Sequence, residues 1–180
     1  NSADTIAQNI QSIASQTVSC QHILIDGAST DNSLEIIQTT DTPNSIIISE
    51  PDKGMYDAIN KGLEKATGDI IGILNADDYY PDHSVLAKIT DAFSDQTVDA
   101  CYGDLLYVDK DDTNKVVRNW ISGAYNANKF YSGWMPPHPT FFIRKKLYDK
   151  HAGYRLDLGS AEDYELMLRK LLKHRAKAKY

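Results

Sequence analysis

The stretch HILIDGASTDNSLEII, residues 22–37, decides the fold. HILID is an apolar run of strand length closed by an acid. GASTDNS carries the small polar residues of a loop. Leu34, Ile36 and Ile37 follow on a short helix, whose Asn32-x-x-Glu35 opening has the form of a capping box. The same order continues downstream. Residues 46–49 are a second apolar run ending in the turn EPDKG, and residues 55–66 form a helix with Gly68 placed as its left-handed C′ residue. Residues 69–74 are a third apolar run. Upstream, Ile6, Ile10 and Ile13 fall at i, i+4 and i+7, one face of a helix that Asn1 or Ser2 can cap. Strand, loop and helix in repeated order predict βαβ units and a parallel sheet buried on both faces.

The second half changes character. Residues 83–93 predict a helix, and residues 99–108 and 115–120 predict two antiparallel strands around the polar turn DKDDTN. Residues 121–137, rich in Gly, Asn and Pro and carrying Tyr125, Phe130, Tyr131 and Trp134, predict an irregular loop. Residues 140–144 predict a strand. A last helix from about Ala161 places Tyr164, Leu168, Leu171 and Leu172 on one stripe. No linker, repeat or low-complexity tract interrupts the 180 residues, so one α/β domain is the simplest expectation.

Hydrophobic residues make up 42% and charged residues 24%, which excludes a disordered, collagen-like or coiled-coil chain. Cys20 and Cys101 are too few for a disulfide framework, and no Cys/His group has zinc spacing. They predict a reduced, cytoplasmic protein with two small buried thiols. No apolar run approaches the roughly 20 residues that cross a bilayer, and no signal-peptide pattern opens the sequence. The net charge of −6 hides a split. Residues 1–114 carry 5 Lys/Arg against 20 Asp/Glu, net −15, and residues 115–180 carry 14 against 5, net +9. This asymmetry points to a cation-loving site in one half and an anionic partner near the other.

Each early strand ends in acid. HILID delivers Asp26, with Asp31 beyond its turn. IIISE delivers Glu50, then Asp52 and Gly54. DIIGILN delivers Asn75, then Asp77 and Asp78. Open parallel sheets bind ligands outside the carboxyl ends of their strands, so these acids predict one convergent site. Carboxylates crowded in one cleft repel each other, and a divalent metal bridging a diphosphate is one solution. No GxGxxG or GxxxxGK[ST] is present, which excludes a Rossmann dehydrogenase and a P-loop nucleotidase.

The series DGASTDNS, EPDKGMYDAINKGLEKATGD, LNADD and the AED before an apolar helix resembles the inverting glycosyltransferases of family 2, of the bacterial polysaccharide-biosynthesis type. The resemblance covers residues 1–175. It implies the GT-A fold: a Rossmann-like, mostly parallel sheet flanked by helices, with a small antiparallel part in the second half. It implies a single catalytic domain over residues 1–180, with a nucleotide-binding half at 1–80 and an acceptor half at 81–180. At matching positions it makes Asp26 and Asp52 nucleotide-contacting acids; Glu50 and Gly54 frame that loop, and Glu50 is itself a candidate nucleotide contact beside its loop-shaping alternative. Asp77 becomes the acid that holds Mn²⁺ or Mg²⁺ on the diphosphate, and Asp163 the base that deprotonates the acceptor. The implied partners are a nucleotide-diphosphate sugar, with UDP foremost, and a glycan or lipid-linked acceptor.

Asn75 departs from the family, whose metal motif begins with Asp; an amide can still ligate a metal or contact ribose. The family also opens with a central strand ahead of the position of Asn1 and extends further at its C-terminus. The resemblance therefore implies two unpaired strands and a hole in the sheet. Asp78, Asp104, Trp134, His138 and Glu162 are further candidates for donor or acceptor contacts, each with a structural alternative. Asp31 and Asp57 are helix-start acids, and Trp134 is equally a core aromatic. The cations Arg169, Lys170, Lys173, Arg175, Lys177 and Lys179 suggest peripheral contact with the inner face of a membrane through a basic C-terminal helix. Nucleic acid is not an expected partner, because the predicted cleft is acidic. A catalytically inert nucleotide-sugar-binding module and a sugar-phosphate nucleotidyltransferase are the alternatives.

Overall fold

The structure is a computed structural model and describes residues 1–40 and 44–180. Helix α1 (Ile6–Ala14) packs Ile6 and Ile10 against Leu24 of β1 (His22–Asp26) and Ile37 of α2 (Ser33–Thr39). Burial of each such side chain stabilises the fold by about 1.5–3 kcal/mol. The predicted caps are used differently. Thr5 holds the N-cap position of α1. The Asn1 side chain instead accepts from Thr30 N at 2.8 Å, and Ser2 N donates to Ser33 Oγ at 2.6 Å. At α2, Asn32 makes no side-chain bond; Asp31 accepts from Ser33 N at 3.0 Å and from Ala3 N at 3.2 Å. Asp31 thus ties the two helix starts together.

Strand β2 (Ser45–Ser49) lies parallel to β1 in a register that pairs Asp26 with Ser49. Helix α3 (Met55–Lys65) packs on β1. It ends with Ala66 extended, and Gly68 is not left-handed, because the chain runs straight on into β3 (Ile70–Gly72). The third predicted strand is shorter than residues 69–74 and is not parallel. It pairs antiparallel with β7 (Phe142–Arg144). Glycine makes this pairing feasible: a Cβ on Gly72 would lie 2.2 Å from the Phe142 ring.

Strand β7 also pairs with β4 (Ala100–Cys101), and β4 with β8 (Ala178–Lys179), giving the order β3-β7-β4-β8. The predicted strand at 99–108 breaks at Gly103. Its carbonyl accepts from the hydroxyls of Ser122 and Thr140 rather than from a strand. The chain then forms a separate hairpin of β5 (Leu105–Val108) and β6 (Val116–Trp120). Among the described residues β1 and β3 each pair on one side only, and both line a cavity of about 1430 Å³.

Helices α4 (Val85–Ala92), α5 (Ala127–Phe130), α6 (Lys145–His151) and α7 (Glu162–Met167) complete the set. The single-turn α5 interrupts the predicted loop because the Asn126 side chain accepts from Asn128 N at 2.9 Å. Helix α7 continues as a π-turn over Leu168–Lys173. The inward face differs from the predicted stripe. Leu166, Met167 and Leu171 join Ile143 and Leu147 in the main core, and Tyr164, Leu168 and Leu172 are only partly buried against it.

Lys170 is carried inward too. Its Nζ donates to Leu147 O at 2.7 Å and to Ala152 O at 2.6 Å, while Arg169 donates to His151 O and to Gly153 O. Two of the six C-terminal cations therefore cap α6, and the basic helix ends at Lys173. Cys101 is buried as expected, but Cys20 is exposed. No helix among the described residues is long and apolar enough to cross a membrane.

Candidate active site

The parallel register of β1 and β2 builds the first corner of the site. Asp26 ends β1, only 6% exposed. Its Oδ2 accepts from Ser49 Oγ at 2.6 Å and from Ser29 N at 3.2 Å. Burial pushes the Asp26 carboxyl up, but the bonds from Ser29 and Ser49 outweigh it and hold the group below its ordinary range. Asp52 sits directly across. Its Oδ1 accepts from Gly54 N at 2.8 Å, and Gly54 has the left-handed φ of +117° that this turn requires. The Asp52 carboxylate lies over Gly27, where a Cβ would come within 2.3 Å of Oδ2.

Asp26, Asp52, Asn75 and Asp77 all line the larger cavity. Glu50 does not. It forms an ion pair with Lys61 at 2.8 Å, and Lys61 also donates to Pro51 O at 2.9 Å, so Glu50 shapes the 50–54 turn. Asp57 accepts from Lys53 N at 3.0 Å in the same turn.

The loop after β3 is gripped by the polar face of α1. Asn9 is buried, and its Nδ2 donates to Asn75 O at 2.7 Å and to Asp78 O at 2.8 Å. Ser12 Oγ accepts from Tyr80 N at 3.1 Å. Beyond the helix end, Gln16 holds Leu86 N at 2.9 Å and Asp82 O at 2.7 Å. The i, i+3, i+7 spacing of Asn9, Ser12 and Gln16 was visible in sequence as a polar stripe; what it held was not. Asp77 is exposed and lines both this cavity and a smaller one of about 200 Å³. Burial and the neighbouring Asp77 charge push the Asp78 carboxyl above its ordinary range.

The smaller cavity is bounded by Asn75, Asp78 and His138 on one side and by Tyr107, Trp120 and Met135 on another. Its aromatic wall comes from the β5–β6 hairpin. Trp134 lines neither cavity; it stacks edge-on against Phe130 at 5.2 Å and packs against the main core. Asp104 also lies off both cavities and accepts from Ser122 N at 2.8 Å and Tyr180 Oη at 2.9 Å.

His138 links the loop to α7. Asn75 Nδ2 lies 3.0 Å from His138 Nε2, and His138 Nδ1 lies 3.6 Å from Asp163 Oδ2. An amide N–H donating to Nε2 leaves the ring proton on Nδ1, facing the carboxylate. Asp163 stands behind His138, 9% exposed, and Tyr56 Oη donates to the same Oδ2 at 3.0 Å. Asp163 Oδ1 is buried with no hydrogen-bond partner among the described residues. Glu162 Oε2 is in the same condition, while its Oε1 accepts from Leu158 N and Gly159 N at 3.2 and 3.1 Å. Tyr56 was missed in sequence because nothing local connects it to a residue 107 positions away.

Acids at the carboxyl end of a parallel strand pair thus line one cavity of an α/β scaffold. The model of glycosyl transferase family 2 matches residues 1–154, and the chain belongs to that family. An uncharacterized glycosyltransferase of Mycobacterium tuberculosis H37Rv, Rv1514c, is 31% identical over 96% of this chain and 66% of its own length. The chain thus spans about two thirds of the curated relatives it first matches. The mannosyltransferase PcManGT of Pyrobaculum calidifontis, solved with GDP-Man and Mn²⁺, superposes with a TM-score of 0.74. It is 21% identical over 99% of this chain and 51% of that one. TarS 1–349 of S. aureus, solved with UDP-GlcNAc, gives 0.71 at 20% identity over 91% and 48%. The fold is GT-A.

Proposed function

We propose that the chain transfers a sugar, with inversion, from a nucleoside diphosphate sugar to a hydroxyl of a glycan or lipid-linked acceptor in cell-surface polysaccharide synthesis. One observation carries this reading: Asp26, Asp52, Asn75 and Asp77 line one cavity at the carboxyl ends of β1, β2 and β3, and Asp163, which lines neither cavity, lies behind the His138 of the smaller one. Asp26 and Asp52 present carboxylate oxygens to base and ribose hydroxyls, and Asn75 adds an amide. Carboxylates suit the N–H and O–H donors of uridine and of guanosine alike, and we take a UDP sugar as the first donor to test, with a GDP sugar beside it.

The residues fit a divalent cation shared with the donor. No three His, Cys, Asp or Glu among the described residues gather as a cage of their own. A hard cation needs only one or two carboxylates when substrate phosphates supply the rest. Asp77 is the exposed acid placed to hold it. Asp78, raised first by burial and then by the Asp77 charge, stands beside it. When bound, Mn²⁺ or Mg²⁺ supplies Lewis-acid stabilisation of the leaving diphosphate.

The protein's own groups then do the rest. Asp163 takes the acceptor's proton as its oxygen attacks the anomeric carbon in line. His138, hydrogen-bonded to Asn75 at 3.0 Å and 3.6 Å from Asp163 Oδ2, spans the distance between the donor loop and the base. The exposed Lys173, Arg175, Lys177 and Lys179 are the groups through which the chain contacts an anionic membrane face.

The test is nucleotide release from UDP-GlcNAc and from GDP-mannose, with Mn²⁺ or with EDTA. Release by the parent chain, lost with chelator, in Asp77→Ala and in Asp163→Asn, is the expected result. Full activity in Asp163→Asn removes it as base, and release that ignores EDTA removes the metal.

A further inference from the structure

We propose that Tyr56 is a positioning residue for Asp163: its hydroxyl holds Oδ2, so that Oδ1 is the oxygen that takes the acceptor's proton. The inference rests on the transferase reading above and names how its base is set.

The geometry divides the two carboxylate oxygens. Oδ2 accepts from Tyr56 Oη at 3.0 Å, and His138 Nδ1 stands 3.6 Å from it, outside hydrogen-bond reach. Oδ1 is buried and without a partner. A buried acceptor left unpaired costs about 1–3 kcal/mol, and such groups persist where a ligand completes them. An acceptor hydroxyl is the complementary donor. As its oxygen bonds to the anomeric carbon, the bond from that carbon to the diphosphate oxygen breaks. The hydroxyl proton passes to Oδ1, and the electron pair leaves with the diphosphate.

Tyr56 is built for the task. It lies in the first turn of α3, directly after the Asp52 turn. Its ring stacks on Tyr154 at 5.2 Å and 27°. One turn on, Asn60 fixes Tyr154 by both its backbone groups, at 2.9 Å each. The hydroxyl therefore has a defined position. Burial, followed by the Asp163 charge and hydrogen bond, pushes its ionisation up to about 12, so it remains a donor at every working pH. The segment that carries a donor-contacting acid also orients the base.

The test separates ring from hydroxyl. Tyr56→Phe keeps the stack on Tyr154 and removes only the O–H; Tyr56→Leu removes both. Nucleotide release from UDP-GlcNAc and GDP-mannose with Mn²⁺ is measured for the parent, both variants and Asp163→Asn, with thermal melts alongside. The expected result in Tyr56→Phe is an unchanged donor KM and a melt lowered less than in Tyr56→Leu, with kcat reduced about tenfold or more, the scale of one lost hydrogen bond to a charged group. Tyr56→Leu loses stability as well. Parent-like kcat in Tyr56→Phe, while Asp163→Asn is inactive, overturns the role of Tyr56 and leaves the transferase reading standing. Parent-like release by Asp163→Asn overturns the base, and this inference with it.

Discussion

Single side chains decide the shape of the cleft, and Asn9 is the clearest case. It supplies both protons that satisfy Asn75 O and Asp78 O, at 2.7 and 2.8 Å, from a helix 66 residues earlier. Asn9→Ala leaves Asp78 O without its partner among the described residues, while Asn75 O keeps only the Asp78 N–H at 3.0 Å. The expected cost is about 1–3 kcal/mol, read as a lowered denaturant midpoint, together with weaker binding of UDP and Mn²⁺ by calorimetry. Gly27 tests the opposite corner. A methyl there meets only the tip of Asp52, which can swing aside. Gly27→Ala is therefore expected to melt like the parent while binding UDP about tenfold less tightly. The thiols differ as well. Burial pushes the Cys101 thiol up to about 12, whereas Cys20 is exposed. A thiol reagent at pH 8 is expected to modify one cysteine in the native protein, Cys20, and the second only in denaturant.

At the level of elements, the segment after α7 carries a pH-dependent prediction. Lys170 is fully buried, and desolvation, with Arg169 beside it, lowers its ionisation from 10.5 to about 8. Between about pH 8 and 10.5 the unfolded chain binds the proton that the folded chain has released. Stability from this group therefore rises with pH across that window and is flat below it. The difference in melting temperature between the parent and Lys170→Met is expected to move in the parent's favour from pH 8 to 10.5; a constant difference contradicts it. The same segment shows why part of the fold was illegible in sequence. A stripe read at the α-helical period chose Tyr164, Leu168, Leu171 and Leu172, but the buried face is Asp163, Leu166, Met167, Lys170 and Leu171. The period is the same; the face is turned, because an aspartate and a lysine on it read as surface residues. By contrast, β1, β2 and their terminal acids were legible, because a strand followed by a carboxylate is a local pattern. Trp134 and Trp120 show the limit again. Both read as aromatic and near a loop, yet only tertiary packing turned Trp134 into the core and Trp120 toward the smaller cavity. The partnership of Tyr56 with Asp163 has no local trace at all.

Across the whole molecule, the division into −15 and +9 takes on a physical form. The acidic half places Asp26, Asp52 and Asp77 around one cavity, a field that repels a bare diphosphate. The basic half spends Arg169 and Lys170 on capping α6 and leaves Lys173, Arg175, Lys177 and Lys179 at the surface. A divalent cation should therefore strengthen UDP binding, and its removal by EDTA should weaken it most at low ionic strength, where screening is least. All of this depends on the strand-end acids sharing one ligand. The most direct measurement is a crystal structure of the chain soaked with UDP and Mn²⁺. The expected density places the nucleoside against Asp26 and Asp52 and the metal on Asp77 beneath the diphosphate. Nucleotide bound elsewhere, or metal bound away from Asp77, would contradict it.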